Sequence, residues 1–278
     1  METVAIVGVG LIGGSFALAL REAGFAGEIW GVSSERTIRA AEKRGAIDRG
    51  VSMEEAVAGA DLIYLAQPIL KIVEVIPKLA GAKAGALITD AGSTKVRICE
   101  AGRKHIQRAQ FLGGHPMAGK ESRGVEAAEA GLFRGRTYFL TPREVSELET
   151  PGARIFVEYV RKAGAHVVPI SPGAHDQLVA RTSHLPQMIS TALAVALSET
   201  VGAAGKAGAG PGLLDMSRLA MSSYEIWEDI VETNRGEIDS ALGMYMAVLE
   251  EVRRRLNQGG LKDPFEIGSI FSKSLRNS

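Results

Sequence analysis

With 278 residues, 46% of them apolar and 23% charged, the chain has the composition of an ordinary globular protein of two domains, which excludes a disordered or fibrous chain. Its 32 basic residues balance 32 acidic ones, so a net charge of +0 gives no electrostatic case for nucleic acid or a membrane surface, and a small ligand is expected. The one cysteine, Cys99, excludes an internal disulfide; the absence of a cationic leader and of a long uncharged apolar run makes the cytoplasm the expected location.

Short apolar runs at 3–8, 28–32, 61–66, 86–90 and 110–114 alternate with helical spacing at 11–24, 35–45, 69–80 and 94–107. Near-continuous apolar strands separated by helices imply a parallel sheet covered on both faces, the doubly wound α/β arrangement. Two further runs, 136–142 and 165–170, flank a helical pattern at 151–163 and extend the same sheet. The prolines and glycine of "PISPGAHD" (169–176) then mark a boundary, giving domains 1–170 and 171–278.

Beyond that boundary the strand signals stop. Helices are expected over 175–200, 212–221, 223–235 and 236–257, with the glycine-rich 202–212 a loop and 263–278 a short tail. The stretch 185–197 is apolar around its circumference. A helix of that kind must be buried on all sides, so a second copy packing on the helical domain, as a homodimer, is expected.

"VGVGLIGGS" (7–15) places Gly8, Gly10 and Gly13 in a G-x-G-x-x-G spacing between a strand and a helix, with Leu11 and Ile12 opening the helix. Glycines there permit a tight turn and the close approach of backbone N–H groups to a pyrophosphate, so a dinucleotide is expected. After the second strand, "GVSSER" sets Ser33 and Ser34 where an acid would bind the ribose of NAD, and Arg36 follows. Hydroxyls beside a guanidinium suit the 2′-phosphate of NADP; Glu35 reaching back to the ribose leaves NAD open.

The ends of the fourth and fifth strands carry "TDAGSTK" (89–95) and "GGHPMAGKES" (113–122). Ligands of doubly wound sheets bind at the carboxyl ends of strands, so Ser93 and His115 form a hydroxyl and imidazole pair able to take a proton from a substrate alcohol. His105, His166 and His175 have little claim on the site, and Lys95 and Lys120 read as solvated. No His, Cys or Asp cluster has metal-ligand spacing, so no metal is implied.

The segments "GVGLIGGS" (8–15), "DAGSTK" (90–95), "GGHPMAGKESRGVEAA" (113–128), "HDQLVARTSHLPQ" (175–187) and "SRLAMSSYEIWEDI" (217–230), in that order, resemble the prephenate and arogenate dehydrogenases of tyrosine biosynthesis. The resemblance implies a Rossmann-type domain followed by an all-α dimerisation domain. It implies hydride transfer from a cyclohexadienyl carbinol to NAD(P) with loss of carbon dioxide. By the same resemblance His115 is the base, supported by Ser93. Arg218 holds a substrate carboxylate, His184 meets the side-chain carboxyl end, and Glu121 lies near the site. Prephenate and arogenate remain open alternatives.

Two other readings compete with this one. A β-hydroxyacid dehydrogenase shares the domain plan but uses a lysine on the first interdomain helix, and 176–200 contains none. A dinucleotide sensor without catalysis has no need of Ser93, His115, His184 and Arg218 together.

Overall fold

Thr3–Val7 forms β1, and its residues Val4 to Val7 have no exposed surface, as a strand covered on both faces requires. The computed structural model describes residues 1–120 and 122–276. They divide into two compact units, one of Met1–Val179 with Met221–Asn234, the other of Ala180–Ala220 with the chain from Arg235 onward.

In the first unit β1 is followed by α1 (Leu11–Glu22), β2 (Glu28–Val32), α2 (Glu35–Lys43), β3 (Arg49–Gly50), α3 (Met53–Gly59), β4 (Leu62–Leu65), α4 (Ile69–Val75) and β5 (Leu87–Asp90). Then come α5 (Val96–His105), β6 (Gln110–Pro116), β7 (Thr137–Thr141), α6 (Pro151–Lys162), β8 (His166–Pro169) and α7 (Pro172–Val179). The described residues form one sheet of order β3-β2-β1-β4-β5-β6-β7-β8. Its pairs are parallel except for β6 with β7, where His115 faces Phe139 in antiparallel register. Strand order reverses between β1 and β4, paired Val7 to Leu65, and that switch point opens a crevice at the carboxyl ends of the strands.

Local chemistry sets the helix starts. Ser34 Oγ accepts from Thr37 N at 3.3 Å to cap α2, and Ser52 Oγ accepts from Glu55 N at 3.1 Å to cap α3. Thr150 caps α6, with Pro151 in the first turn, where a missing N–H costs nothing. Above the sheet Phe16 stacks on Tyr64 with centroids 4.0 Å apart and planes 11° apart, and Phe133, Tyr138 and Phe156 close the cluster. Such aromatic pairs add about 0.5–1.5 kcal/mol each beyond their area.

The strand expectations at 3–8, 28–32, 61–66, 86–90, 110–114, 136–142 and 165–170 all meet a strand. In this unit the strand β3 and the helix α3 lie outside those expectations.

The helical stretch begins with α7 and meets a π-helical turn at Ala180–His184 before α8 (Leu185–Thr200), so the helix expected over 175–200 is interrupted in its middle. Next come α9 (Gly202–Gly208), α10 (Pro211–Ser217), α11 (Tyr224–Gln258) and α12 (Lys262–Ser274). The loop expected at 202–212 is thus partly helical, over Gly202–Gly208. The expected tail forms α12, whose Pro264 sits in the first turn, where proline is tolerated. The helices expected at 223–235 and 236–257 are the two arms of α11, kinked at Asn234 (φ −132°, ψ 24°).

Within the second unit Gln187 Nε2 donates to Leu219 O at 2.9 Å and Ser190 Oγ accepts from Ala220 N at 3.1 Å, tying α8 to the turn after α10. Much apolar surface stays exposed in this unit, including Leu214, Met246, Phe265, Ile270 and Phe271, with Phe265 at 73%. Along α8 itself Leu185 is buried while Val195 is 55% exposed. Among the described residues no helix is long and apolar enough to cross a membrane.

Candidate active site

The three motif glycines have three different surroundings. Gly8 adopts φ +93°, and a Cβ there would lie 2.5 Å from Ala66 O, so only glycine makes this turn. At Gly13 a Cβ would meet Gly8 O at 2.2 Å, which keeps α1 tight against the strand. Gly10 has nothing within 4 Å of a built Cβ: its missing side chain is open space on the wall of a groove.

That groove has a volume of ≈ 540 Å³ and is walled by Gly8, Val9 and Gly10 at the turn, Ser33, Ser34, Arg36 and Thr37 after β2, and Gly124 to Glu126 opposite. Groove, glycine turn and the N-terminus of α1 fit a dinucleotide, whose pyrophosphate needs room at Gly10 and backbone donors around it. Ser34 is engaged as the α2 cap, its hydroxyl 2.9 Å from that of Thr37. Arg36 is exposed, and Glu35 pairs with Arg39 at 2.8 Å on the surface.

A second cavity of ≈ 430 Å³ adjoins the first through Ala66, Gln67, Pro68 and Gly124. It is lined by Leu11, Ile12, Ser93, Lys120, Arg123 and, from the first arm of α11, Asp229. Asp229 Oδ2 accepts from Leu70 N at 3.0 Å, holding the first turn of α4. Gln67 Oε1, in the wall common to both cavities, is buried and has no hydrogen-bond partner among the described residues. An acceptor left in that state costs about 1–3 kcal/mol, a cost that an incoming donor relieves.

His115 stands near the end of β6, buried with 8% of its surface exposed. Its Nδ1 lies 2.8 Å from His175 Nε2, and His175 Nδ1 lies 2.8 Å from Asp176 Oδ1. The Asp176 carboxylate also accepts from Lys95 N at 2.7 Å and Val96 N at 2.9 Å, at the start of α5. Burial pushes the His175 imidazole below its ordinary value, against the raising influence of Asp176. The little claim given to His175 is therefore corrected: it is fully buried in contact with His115.

Lys95 is corrected too, since it has no exposed surface. Its Nζ pairs with Asp90 and donates to Gly114 O at 2.6 Å, and Asp90 in turn accepts from Gly92 N at 2.8 Å and Gly114 N at 3.1 Å. The pair clamps the backbone just ahead of His115. Lys120, by contrast, pairs near the surface with Glu129 at 2.5 Å.

The remaining expected residues divide between the units. Ser93 lies in the first, on the second cavity. His184 and Arg218 belong to the second, His184 buried at the end of the π-helical turn and Arg218 exposed just after α10. Glu121 lies outside the described residues. What the sequence reading missed were His175, Asp176 and Lys95; the adjacent His and Asp of "AHD" were the available signal for the first two.

A mostly parallel sheet with a glycine turn at its switch point, a groove beside that turn and a buried histidine near a strand's carboxyl end fit a nicotinamide-dinucleotide oxidoreductase. Comparison with known proteins gives the particular family. The nucleotide-binding domain of prephenate dehydrogenase matches residues 16–169, and the prephenate dehydrogenase dimerization domain matches 171–267. The prephenate dehydrogenase of Bacillus subtilis (strain 168) is 32% identical over 271 residues, which cover 95% of this chain and 72% of that protein. Among solved structures, prephenate dehydrogenase from A. aeolicus in complex with hydroxyphenyl propionate and NAD+ superposes with a TM-score of 0.88 at 29% identity, covering 100% of this chain and 99% of that one. Synechocystis arogenate dehydrogenase does so with a TM-score of 0.85 at 28% identity, covering 99% and 100%. The chain belongs to the prephenate dehydrogenase family.

Proposed function

We propose that this enzyme oxidatively decarboxylates a cyclohexadienyl substrate, prephenate or arogenate, with His115 as the base and NADP as the preferred acceptor. The observation that carries the reading is His115 itself, held in a buried hydrogen-bonded chain near the carboxyl end of β6. When bound, the oxidised nicotinamide supplies the hydride acceptor. His115 draws off the ring hydroxyl proton as hydride leaves the same carbon. The ring carboxylate departs as carbon dioxide, and its bonding pair completes the aromatic ring. Ser93 hydrogen-bonds the same oxygen.

Gly8, Gly10 and Gly13 shape the turn that receives the dinucleotide, and Leu11 and Ile12 wall its nicotinamide end. The preference for NADP rests on Ser33 and Arg36, with Glu35 committed to Arg39. His184, Arg218 and Glu121 are assigned to the substrate on their motifs; a guanidinium fork suits a carboxylate. The working assembly is a homodimer through the helical unit, supported by its exposed Phe265, Ile270 and Phe271 and by its match to a dimerization domain.

The test is absorbance at 340 nm with prephenate and arogenate crossed against NAD and NADP. Turnover in at least one combination, fastest with NADP, is expected. Silence in all four, with dinucleotide binding verified separately, overturns the reading.

A further inference from the structure

His115, His175 and Asp176 form a hydrogen-bonded chain, and the role of its Asp176 end is fixed by the backbone. Asp176 accepts two backbone N–H groups at the start of α5, at 2.7 and 2.9 Å, where a helix favours negative charge. An ionised carboxylate can only accept, so the nitrogen 2.8 Å from it, His175 Nδ1, carries a proton. In a neutral imidazole the other nitrogen then has none, and His175 Nε2 becomes an acceptor. The nitrogen 2.8 Å from that acceptor, His115 Nδ1, must donate, which leaves His115 Nε2 with a lone pair.

We propose that Asp176 and His175 are positioning residues that set the tautomer of His115, making its Nε2 the proton acceptor of the reaction. The inference rests on the reading of His115 as the base and adds what makes it one. The surroundings of His175 support a neutral ring. Phe139 meets it edge to face with centroids 5.2 Å apart, and the ring is wholly buried. The charged and titratable groups facing it are Asp176 on its own helix, His115 on β6, Asp90 at the end of β5 and Lys95 before α5. Burial is the largest influence and opposes protonation; the hydrogen bond to Asp176 favours it, the Lys95 charge opposes it, the charges of Asp176 and Asp90 favour it less, and the net direction is downward.

The fold holds the chain rigidly at each link. Asn234 Nδ2 donates to Asp176 O at 2.9 Å, and the Asp90–Lys95 pair grips both backbone polar atoms of Gly114. Neither His175 nor Asp176 needs to touch substrate.

The test reads tautomers directly, by nitrogen NMR of the 15N-histidine-labelled protein, with His115→Asn and His175→Gln spectra used for assignment. The expected result is a proton on Nδ1 of both rings and a bare Nε2 on His115. A wild-type His115 protonated on Nε2 overturns the proposal, whatever the variants do. In Asp176→Asn the side-chain amide can donate to His175, inverting both tautomers. That variant should lose about 10²–10⁴ in kcat with KM and dinucleotide affinity nearly unchanged, the pattern of a mis-set imidazole. His175→Gln keeps an acceptor for His115 and should retain more kcat than His175→Leu. Equal losses in the two, or an Asp176→Asn enzyme with wild-type kcat and pH profile, also overturn it. Should Asp176→Asn fail to fold, the wild-type tautomers alone decide. A wild type silent in every substrate and cofactor combination sinks the base reading, while the NMR result stands apart from it.

Discussion

Lys95 and Asp90 form an ion pair in which neither side chain has any exposed surface. Two charges in such a place persist because each also has backbone partners, Gly114 O for the ammonium and the amides of Gly92 and Gly114 for the carboxylate. Removing one partner leaves an uncompensated buried charge, which costs about 3–5 kcal/mol. Lys95→Met should therefore lower stability by that amount in urea titration, and Asp90→Asn added to it should restore part of the loss.

Replacing the base should be felt in turnover. His115→Asn is expected to lose about 10²–10⁴ in kcat, the usual worth of acid–base catalysis, with dinucleotide affinity by fluorescence titration unchanged. A variant retaining wild-type kcat excludes His115 as the base.

Alanine at the motif glycines should separate binding from folding. Gly10→Ala points a methyl into the open groove, so the dinucleotide KM should rise at least tenfold while the thermal midpoint holds. Gly13→Ala forces a carbon to 2.2 Å from Gly8 O, and overpacking of that kind costs about 1–3 kcal/mol, so the midpoint should fall.

Arg36→Ala should lower kcat/KM for NADP by about tenfold or more and leave that for NAD within twofold, as loss of one charged hydrogen bond predicts. Equal effects on both cofactors would falsify the assignment of Arg36 to a 2′-phosphate.

His175 also gives stability a pH dependence. Its folded imidazole is held below the ordinary value of about 6.5, so the unfolded chain binds more protons as pH falls through that value. Stability from this group is complete above about pH 6.5 and declines on the acid side, by at most about 1.4 kcal/mol per pH unit. His175→Gln should flatten the difference in urea midpoint between pH 5 and 7.5.

Strands β1, β4 and β5 were legible because burial on both faces writes each as an unbroken apolar run, and the glycine motif because its spacing serves a turn at Gly8, close helix packing at Gly13 and open groove space at Gly10. β3 spans two residues, too few for any periodicity to register. α3 left a signal that was passed over, the Ser52 and Glu55 capping spacing. His175 and Lys95 were illegible for a different reason. The partner of His175 on β6 is 60 residues away, and the carboxylate meeting the Lys95 backbone is 81 away. A lone lysine or histidine defaults to the surface until such long-range neighbours are known.

The reversal of direction between β6 and β7 sends the chain from Pro116 out beyond the carboxyl end of β6 and back to Thr137. This excursion supplies Gly124, Val125 and Glu126 to the dinucleotide groove and Lys120, Ser122 and Arg123 to the neighbouring cavity. The groove and the cavity thus share one lining loop. In evolutionary terms the proposed function makes the two specificities linked traits: a lineage that remodels this loop to accept a new ring substrate would also disturb its coenzyme grip, and second-strand residues such as Ser33 and Arg36 would offer a separate place to repair it.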